Sequence, residues 1–176
     1  VYTAAMSELL CKKISVEVRP KPGLAYLSGL LQNFGYLVLG HLFPPHFSLL
    51  SRYLEANPHM ALEYVEKQVL SVTREQVGAW LLENWSLPEA VVDTVRFHND
   101  LEYDGEFAQA VRLLYVANRA LRTQNLADGP IEEIPDWVLD ELKLSQQDID
   151  GALSTVMECR GELDSLVHTI THAQAI

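Results

Sequence analysis

Two carboxamide side chains, Gln32 and Asn33, stand next to each other in the middle of a largely apolar segment, residues 24–43. A buried amide without a hydrogen-bond partner costs about 1–3 kcal/mol of stability. Two adjacent amides in such a segment are therefore expected to find partners elsewhere in the fold. Carboxamides can bind, orient and cross-link, but they do not ionise at neutral pH.

The histidines offer little metal-binding geometry. His168 and His172 are four positions apart on a predicted helix, a spacing that suits a metal ion. No third ligand lies near them in the sequence, so an exposed polar face is the favoured interpretation. His41 and His46 flank a Pro-Pro pair and are expected in a loop.

The carboxylate pairs are equally ordinary. Glu63 with Glu66, and Glu132 with Glu133, are predicted to lie on solvated helix faces. The sequence contains no glycine-rich phosphate loop, no GxSxG elbow and no Cys–His nucleophile pattern. Motifs of known enzymes therefore assign no catalytic residue.

Composition indicates one globular domain among the 176 residues, with 48% hydrophobic and 21% charged residues. The net charge of −11 argues against nucleic acid as a partner, because no basic stripe is present to neutralise phosphates. The acidity is concentrated in residues 132–164, which carry ten acidic and two basic residues. This part of the chain is expected to form an acidic extension.

The chain has no apolar run long enough for a membrane span and no signal peptide, which predicts a cytoplasmic protein without membrane contact. Cys11 and Cys159 are far apart in the sequence and are predicted to be buried thiols in a reducing compartment. The sequence lacks an initiator Met and opens inside a helical pattern. We expect it to be part of a longer protein.

Apolar residues recur at helical spacing throughout, and no segment alternates at period two, which predicts an all-α fold. The predicted helices cover residues 3–13, 23–42, 46–57, 60–70, 74–85, 89–98, 106–123 and 136–142, with a long final helix after Ser145. Thr73 with Gln76 forms a capping-box pattern, and Ser145 has Asp148 three positions later.

Two of these helices carry specific expectations. The helix over 23–42 is apolar on nearly all sides, which is typical of a central buried helix, closely packed or kinked near Gly35. The final helix has an apolar seam that extends to Ile170 and is interrupted at Arg160. This seam could pack on its own domain or form a dimer.

Four segments carry a resemblance to a known family. Residues 29–35, GLLQNFG, are similar to the GLLHDIG segment of the HD superfamily of metal-dependent phosphohydrolases. Residues 74–89, REQVGAWLLENWSLPE, resemble a segment of the HDOD family, the HD-related output domain of bacterial signalling proteins. Residues 95–100 and 114–121 extend the resemblance. It implies a compact multi-helix HD-like bundle, with residues 1–125 as the C-terminal portion of the HDOD-like domain and 126–176 as an acidic helical extension.

The same resemblance marks the positions of the superfamily's metal ligands, and here they hold Gln32, Asn33, Arg74, His98, Asn99 and Asn118. Carboxamides are weak neutral ligands, and an arginine cannot coordinate a cation. We therefore expect a vestigial pocket with no metal, cofactor or catalytic residue. Arg74 is expected to occupy the vacated metal position and to donate to Gln32, Asn33 or Asn118, and His98 is expected to be an ordinary helix-end histidine.

The resemblance implies a response-regulator type of signalling role, and we expect a non-enzymatic module that acts through protein partners or attached signalling domains. Two alternatives stay open. One is an HD-type phosphohydrolase acting on nucleotides or cyclic dinucleotides, which would need metal. The other is a nucleotide-binding sensor without hydrolysis, because a guanidinium such as that of Arg74 in a cleft suits a phosphate.

Overall fold

The protein is a bundle of α-helices in a computed structural model that describes residues 1–21, 23–57, 59–60 and 62–172, with side chains described up to residue 169. The described part contains eleven helices and no strand: α1 Tyr2–Lys13, α2 Leu24–Leu31, α3 Phe34–Leu42, α4 Pro44–Ala56, α5 Leu62–Leu70, α6 Arg74–Asn84, α7 Glu89–Phe97, α8 Ala108–Arg122, α9 Asp136–Leu142, α10 Gln146–Glu158 and α11 Arg160–His172. The all-α prediction is confirmed. No described helix combines the length and apolar character that crossing a membrane requires.

Helix α8 is the central helix, since every one of its residues except Gln109 is buried. On one side it packs with α1, α9 and α10 through residues such as Met6, Leu113 and Ile149. On the other side, Ala110 joins a second apolar cluster with α6 and α7. The two clusters are the cores that hold the bundle together, and α9 and α10 share the first of them. The predicted domain boundary near residue 125 stays a prediction.

The segment predicted as one central buried helix is two helices, because the chain turns at Gln32 and Asn33. The turn lets α2 pack on α1 and α8 while α3 packs on α6. The prediction of full burial was wrong, since Leu37 of α3 is 66% exposed. The predicted close packing is confirmed at Gly35, where an added Cβ would lie 1.8 Å from the Arg74 carbonyl oxygen.

Both predicted helix caps are confirmed. The Thr73 hydroxyl accepts from the Gln76 backbone N–H while the Gln76 side chain accepts from the Thr73 N–H, and this starts α6. Ser145 and Asp148 make the same reciprocal pair at the start of α10. Because α6 begins at Arg74, the cap fixes the position of a predicted pocket residue.

The predicted long final helix breaks at Cys159, immediately before Arg160. Helix α10 buries Ile149, Ala152 and Val156 against the core, whereas α11 leaves Leu166 53% exposed. Cys159 is exposed at this break, contrary to the prediction, and Cys11 is buried as predicted; both are free thiols. The side chains of Ile170 and His172, which the sequence placed on this helix, lie outside the described residues.

Candidate functional site

A polar cavity of about 320 Å³ lies where α1, the α2–α3 turn, α6, the end of α7 and α8 meet. All six residues predicted for the vestigial pocket line it: Gln32, Asn33, Arg74, His98, Asn99 and Asn118. Tyr2, Thr3, Arg122 and residues 125–128 complete the wall. The fold thus brings together residues from most of the chain, and the functional role of the six residues stays a prediction.

Gln32 and Asn118 form a reciprocal carboxamide pair in the wall of this cavity. Asn118 Nδ2 donates to Gln32 Oε1 at 2.6 Å, and Gln32 Nε2 donates to Asn118 Oδ1 at 3.0 Å. Thr3 Oγ1 also donates to Asn118 Oδ1, at 3.3 Å. Both amides are buried, so each supplies the partner that the other requires.

Asn33 does not need such a partner, because its side chain is exposed at the start of α3. Its backbone carbonyl accepts from the N–H groups of Tyr36 and Leu37 and so begins that helix. Of the two adjacent amides, only Gln32 is therefore a buried cross-link.

Arg74 lies in the cavity wall with only 6% of its surface exposed. Its predicted hydrogen bonds to Gln32, Asn33 or Asn118 were wrong, since its Nε donates to Glu75 Oε1 at 3.3 Å. The same Nε is 3.5 Å from Glu66 Oε1, and the guanidinium carbon lies 4.9 Å from the centre of the Tyr36 ring. Two buried carboxylates attract a guanidinium more strongly than neutral amides do, which explains the choice of partners.

Glu66 and Glu75 are functional-site residues that the sequence analysis missed. Glu66 is fully buried, so its prediction as part of a solvated face was wrong. Burial raises the pKa of Glu66 to about 7, although the positive charge of Arg74 opposes the rise. Burial also disfavours the charged form of Glu75, but His98 and Arg74 outweigh it and hold the pKa of Glu75 below its usual value. A sequence signal existed for Glu66, which lies on the apolar face of α5 beside Val65.

His98 ends α7 as predicted, and it is also buried in a hydrogen-bond chain. Its Nδ1 lies 2.8 Å from the Val95 carbonyl oxygen, which assigns the proton to Nδ1. Nε2 then accepts from Asn99 Nδ2 at 3.3 Å, and the same amide donates to Glu75 Oε1 at 2.9 Å. Burial lowers the pKa of His98, so the ring is neutral at neutral pH.

Two arginines at the end of α8 hold the loop of residues 123–135 against the cavity. Arg119 Nη2 and Arg122 Nη1 both bind Glu132 Oε2, at 3.2 Å and 3.0 Å. Arg122 Nε also donates to the Asp128 carbonyl oxygen at 2.7 Å. Glu132 was predicted to be merely solvated, and it instead bridges two cations. These contacts join α8 to a loop, and no local sequence pattern predicts them.

The side chains in this cavity do not fit the metal centre that the HD superfamily implies. The oxygens of Gln32 and Asn118 are occupied by each other, both ring nitrogens of His98 are hydrogen-bonded, and Arg74 repels cations. Among the residues that the structure describes, no three His, Cys, Asp or Glu side chains lie where they could share an ion. The cavity wall can instead donate hydrogen bonds and attract an anion through its arginines.

Several bacterial proteins are similar to this chain. A candidate signal transduction protein from Marinobacter aquaeolei VT8 is 33% identical, with a TM-score of 0.88 over 97% of this chain and 39% of its own. An uncharacterized protein from Treponema pallidum (strain Nichols) is 27% identical over 124 residues, which is 70% of this chain and 24% of that protein. A candidate phosphohydrolase from Shewanella amazonensis SB2B shares the fold, with a TM-score of 0.64 and 17% identity over 91% of this chain and 60% of its own.

This chain therefore spans about a quarter of the Treponema protein and about two fifths of the Marinobacter protein. The family model of the HDOD domain matches residues 1–101, which is more than half of the chain. The match includes the α2–α3 turn, Arg74 and the His98–Asn99 pair. The chain belongs to the HDOD domain family.

Proposed function

We propose that this chain is a non-catalytic regulatory module of a bacterial cytoplasmic signalling protein, of the response-regulator type, and that it acts through contacts with other proteins or attached domains. The observation that carries the proposal is the Gln32–Asn118 pair, with its two hydrogen bonds of 2.6 Å and 3.0 Å. A neutral amide pair holds α2 to α8 where the HD superfamily would use ionised ligands and a metal. The pair can transmit a shift between helices, but it cannot activate water.

Two similarities support a signalling role. The HDOD domain model matches the chain, and the Marinobacter relative is named a candidate signal transduction protein. That relative is longer than this chain, which covers 39% of it. A module that occupies part of a longer protein suits a relay role between domains.

An apolar groove on the outside of the bundle supports contact with another protein. The groove, of about 480 Å³, lies between α3, the start of α4 and the α5–α6 connection. Phe43 and Trp80 line it and are 48% and 52% exposed. Exposed aromatic side chains beside a groove are typical of surfaces that bind protein partners.

Metal content and hydrolysis test the non-catalytic part of this proposal. The protein would be purified without chelators and analysed for Fe, Mn and Zn. It would then be assayed against a generic phosphodiester, mononucleotides and cyclic dinucleotides, with each metal added in turn. We expect well below stoichiometric metal, because no three His, Cys, Asp or Glu side chains among the described residues lie where they could share a cation.

More than about half an equivalent of tightly bound metal would contradict the proposal. So would metal-dependent hydrolysis that disappears in a His98→Gln variant. A Trp85→Ala variant serves as the control, because Trp85 is exposed and does not line the cavity. Either contradictory result would favour the HD-type phosphohydrolase.

A further inference from the structure

We infer that the cavity binds a small molecule carrying a phosphate or a carboxylate, with Arg74 as the partner of the anion and Asp128 as a competitor built into the chain. The inference rests on the proposed function in one respect, namely that the ligand is bound and not hydrolysed. It adds the chemical class of the signal and a residue that sets its affinity.

The first observation is an unused cationic donor. Arg74 Nη1 is buried and has no hydrogen-bond partner among the described residues, although the side chain lines the cavity. The carboxylate oxygen that faces Arg74 Nη1 is Asp128 Oδ2. The two atoms are 4.0 Å apart, which is beyond hydrogen-bond distance. A buried charged donor without an acceptor is costly, and an anionic oxygen in the cavity would remove that cost.

The second observation is the charge of the cavity wall. Among the described residues that line it, the charged ones are Arg74, Arg122 and Asp128, so two cations face one carboxylate. Arg122 shares the carboxylate of Glu132 with Arg119, which leaves Arg74 as the cation with a free donor. Glu66 and Glu75 bind Arg74 but do not line the cavity.

The remaining wall suits the uncharged part of a small metabolite. It presents side chains that donate and accept hydrogen bonds without carrying charge: Thr3, Gln32, Asn33, Asn99, Asn118 and Asn125. The volume of about 320 Å³ lies at the lower end of the range for ligand pockets, about 300–1,000 Å³. This size favours a single phosphorylated or carboxylated metabolite over a cyclic dinucleotide.

Asp128 is placed to compete with such a ligand. Its side chain is 71% exposed and points a carboxylate oxygen toward Arg74, while its backbone carbonyl is held by Arg122. A ligand anion at Arg74 would take the place of this weak ion pair. Removing the Asp128 charge should therefore strengthen ligand binding, which is the opposite of what loss of a structural residue does.

The test is calorimetric and thermal-shift titration of the purified chain. The probes are inorganic phosphate, AMP, GMP and succinate, with adenosine and guanosine as uncharged controls. We expect at least one anionic probe to bind and both nucleosides to bind more weakly. Asp128→Asn should tighten that binding by up to about fivefold, the effect of an exposed ion pair. Arg74→Lys, which keeps the charge but loses the planar donors, should weaken it by about tenfold or more.

Asp104→Asn is the matched control, because Asp104 is exposed and does not line the cavity. It should bind the probes as the wild type does. Failure of all four anions to bind at millimolar concentration would overturn the inference, and so would unchanged affinity in Asp128→Asn. Because the Asp128 side chain is exposed, the Asp128→Asn variant is expected to fold. It therefore tests the inference even if Arg74→Lys unfolds. Absence of binding leaves the non-catalytic proposal intact. Metal-dependent turnover of a bound probe overturns that proposal, and with it the statement that the ligand is not hydrolysed, but it leaves Arg74 as the partner of the anion.

Discussion

Gln32 and Asn118 satisfy each other's hydrogen-bonding groups across the interface between the end of α2 and the middle of α8. Each amide uses its oxygen and one N–H on the same partner, and both are nearly inaccessible to water. The contributions of two such residues to stability are strongly coupled, because removing one leaves the other buried without a hydrogen-bond partner.

The first prediction concerns this coupling. Gln32→Leu and Asn118→Leu should each lower the free energy of unfolding by about 1–3 kcal/mol, since each leaves an unpaired buried amide. The double variant should lose less than the sum, because no amide is then stranded. Urea unfolding of all four proteins gives the coupling energy. Strict additivity would argue against the pair, and the exposed Asn84→Ala change provides the baseline for a surface amide.

The second prediction concerns pH. The pKa of Glu66 is about 7 in the folded chain, against an ordinary value of 4.5. Between these values the folded chain holds a proton that the unfolded chain has lost, so the Glu66 contribution to the free energy of unfolding falls as pH rises from about 4.5 to about 7. His98 acts in the opposite direction, because its pKa is lowered by burial.

Glu66→Gln separates these two effects. The variant cannot ionise at position 66, so its stability relative to the wild type should increase from pH 5 to pH 8. Chemical unfolding at several pH values measures this difference. Glu63→Gln, one turn earlier and exposed in an ion pair with Lys67, is the control and should show little pH-dependent difference. A flat difference curve for Glu66→Gln would contradict the assigned pKa.

The third prediction concerns the crossing of α3 and α6. An Ala at position 35 would place its Cβ 1.8 Å from the Arg74 carbonyl oxygen, so the helices must separate. We expect Gly35→Ala to lower the free energy of unfolding by about 1–3 kcal/mol or more. Gly151→Ala is the matched change in α10, where an added Cβ meets nothing within 4 Å, and it should stabilise by about 0.5–1 kcal/mol. Thermal unfolding distinguishes the two signs.

The fourth prediction concerns self-association. Helix α11 exposes Leu166 beyond the break at Cys159, and we expect this helix to mediate a dimer. Leu166→Glu should then shift the chain to monomer in sedimentation velocity, with unchanged helix content. Glu162→Gln on the same helix is the control and should keep the dimer. A wild-type chain that is monomeric at high micromolar concentration would rule out this role of α11.

Local chemistry made much of the fold predictable. Thr73 with Gln76, and Ser145 with Asp148, are short-range patterns whose hydrogen bonds form within one turn, and both caps formed as predicted. The gathering of Gln32, Arg74 and Asn118 around one cavity was also anticipated. That expectation came from family resemblance, since nothing in local spacing relates residues so far apart.

The errors share one physical origin, which is that tertiary contacts decide between local options. An apolar run from 24 to 42 is compatible with one helix, and only packing against two different neighbours makes it turn at Gln32. Glu66 was assigned to solvent because carboxylates usually lie there, whereas Arg74 follows eight positions later and pairs with it in the interior. Whether Glu132 would reach the arginines of α8 depended on the path of a loop.

The arrangement of the cavity wall has a consequence for biosynthesis. The contacts that close it join residues 86 and 115 positions apart, from Asn118 back to Gln32 and to Thr3. Contacts of such long sequence separation form late, because a large loop must be closed first. On the ribosome, α1 and α2 lack their contacts with α8 until α8 has been synthesised. The pocket is therefore complete only after synthesis has passed Asp128, the last residue of its wall.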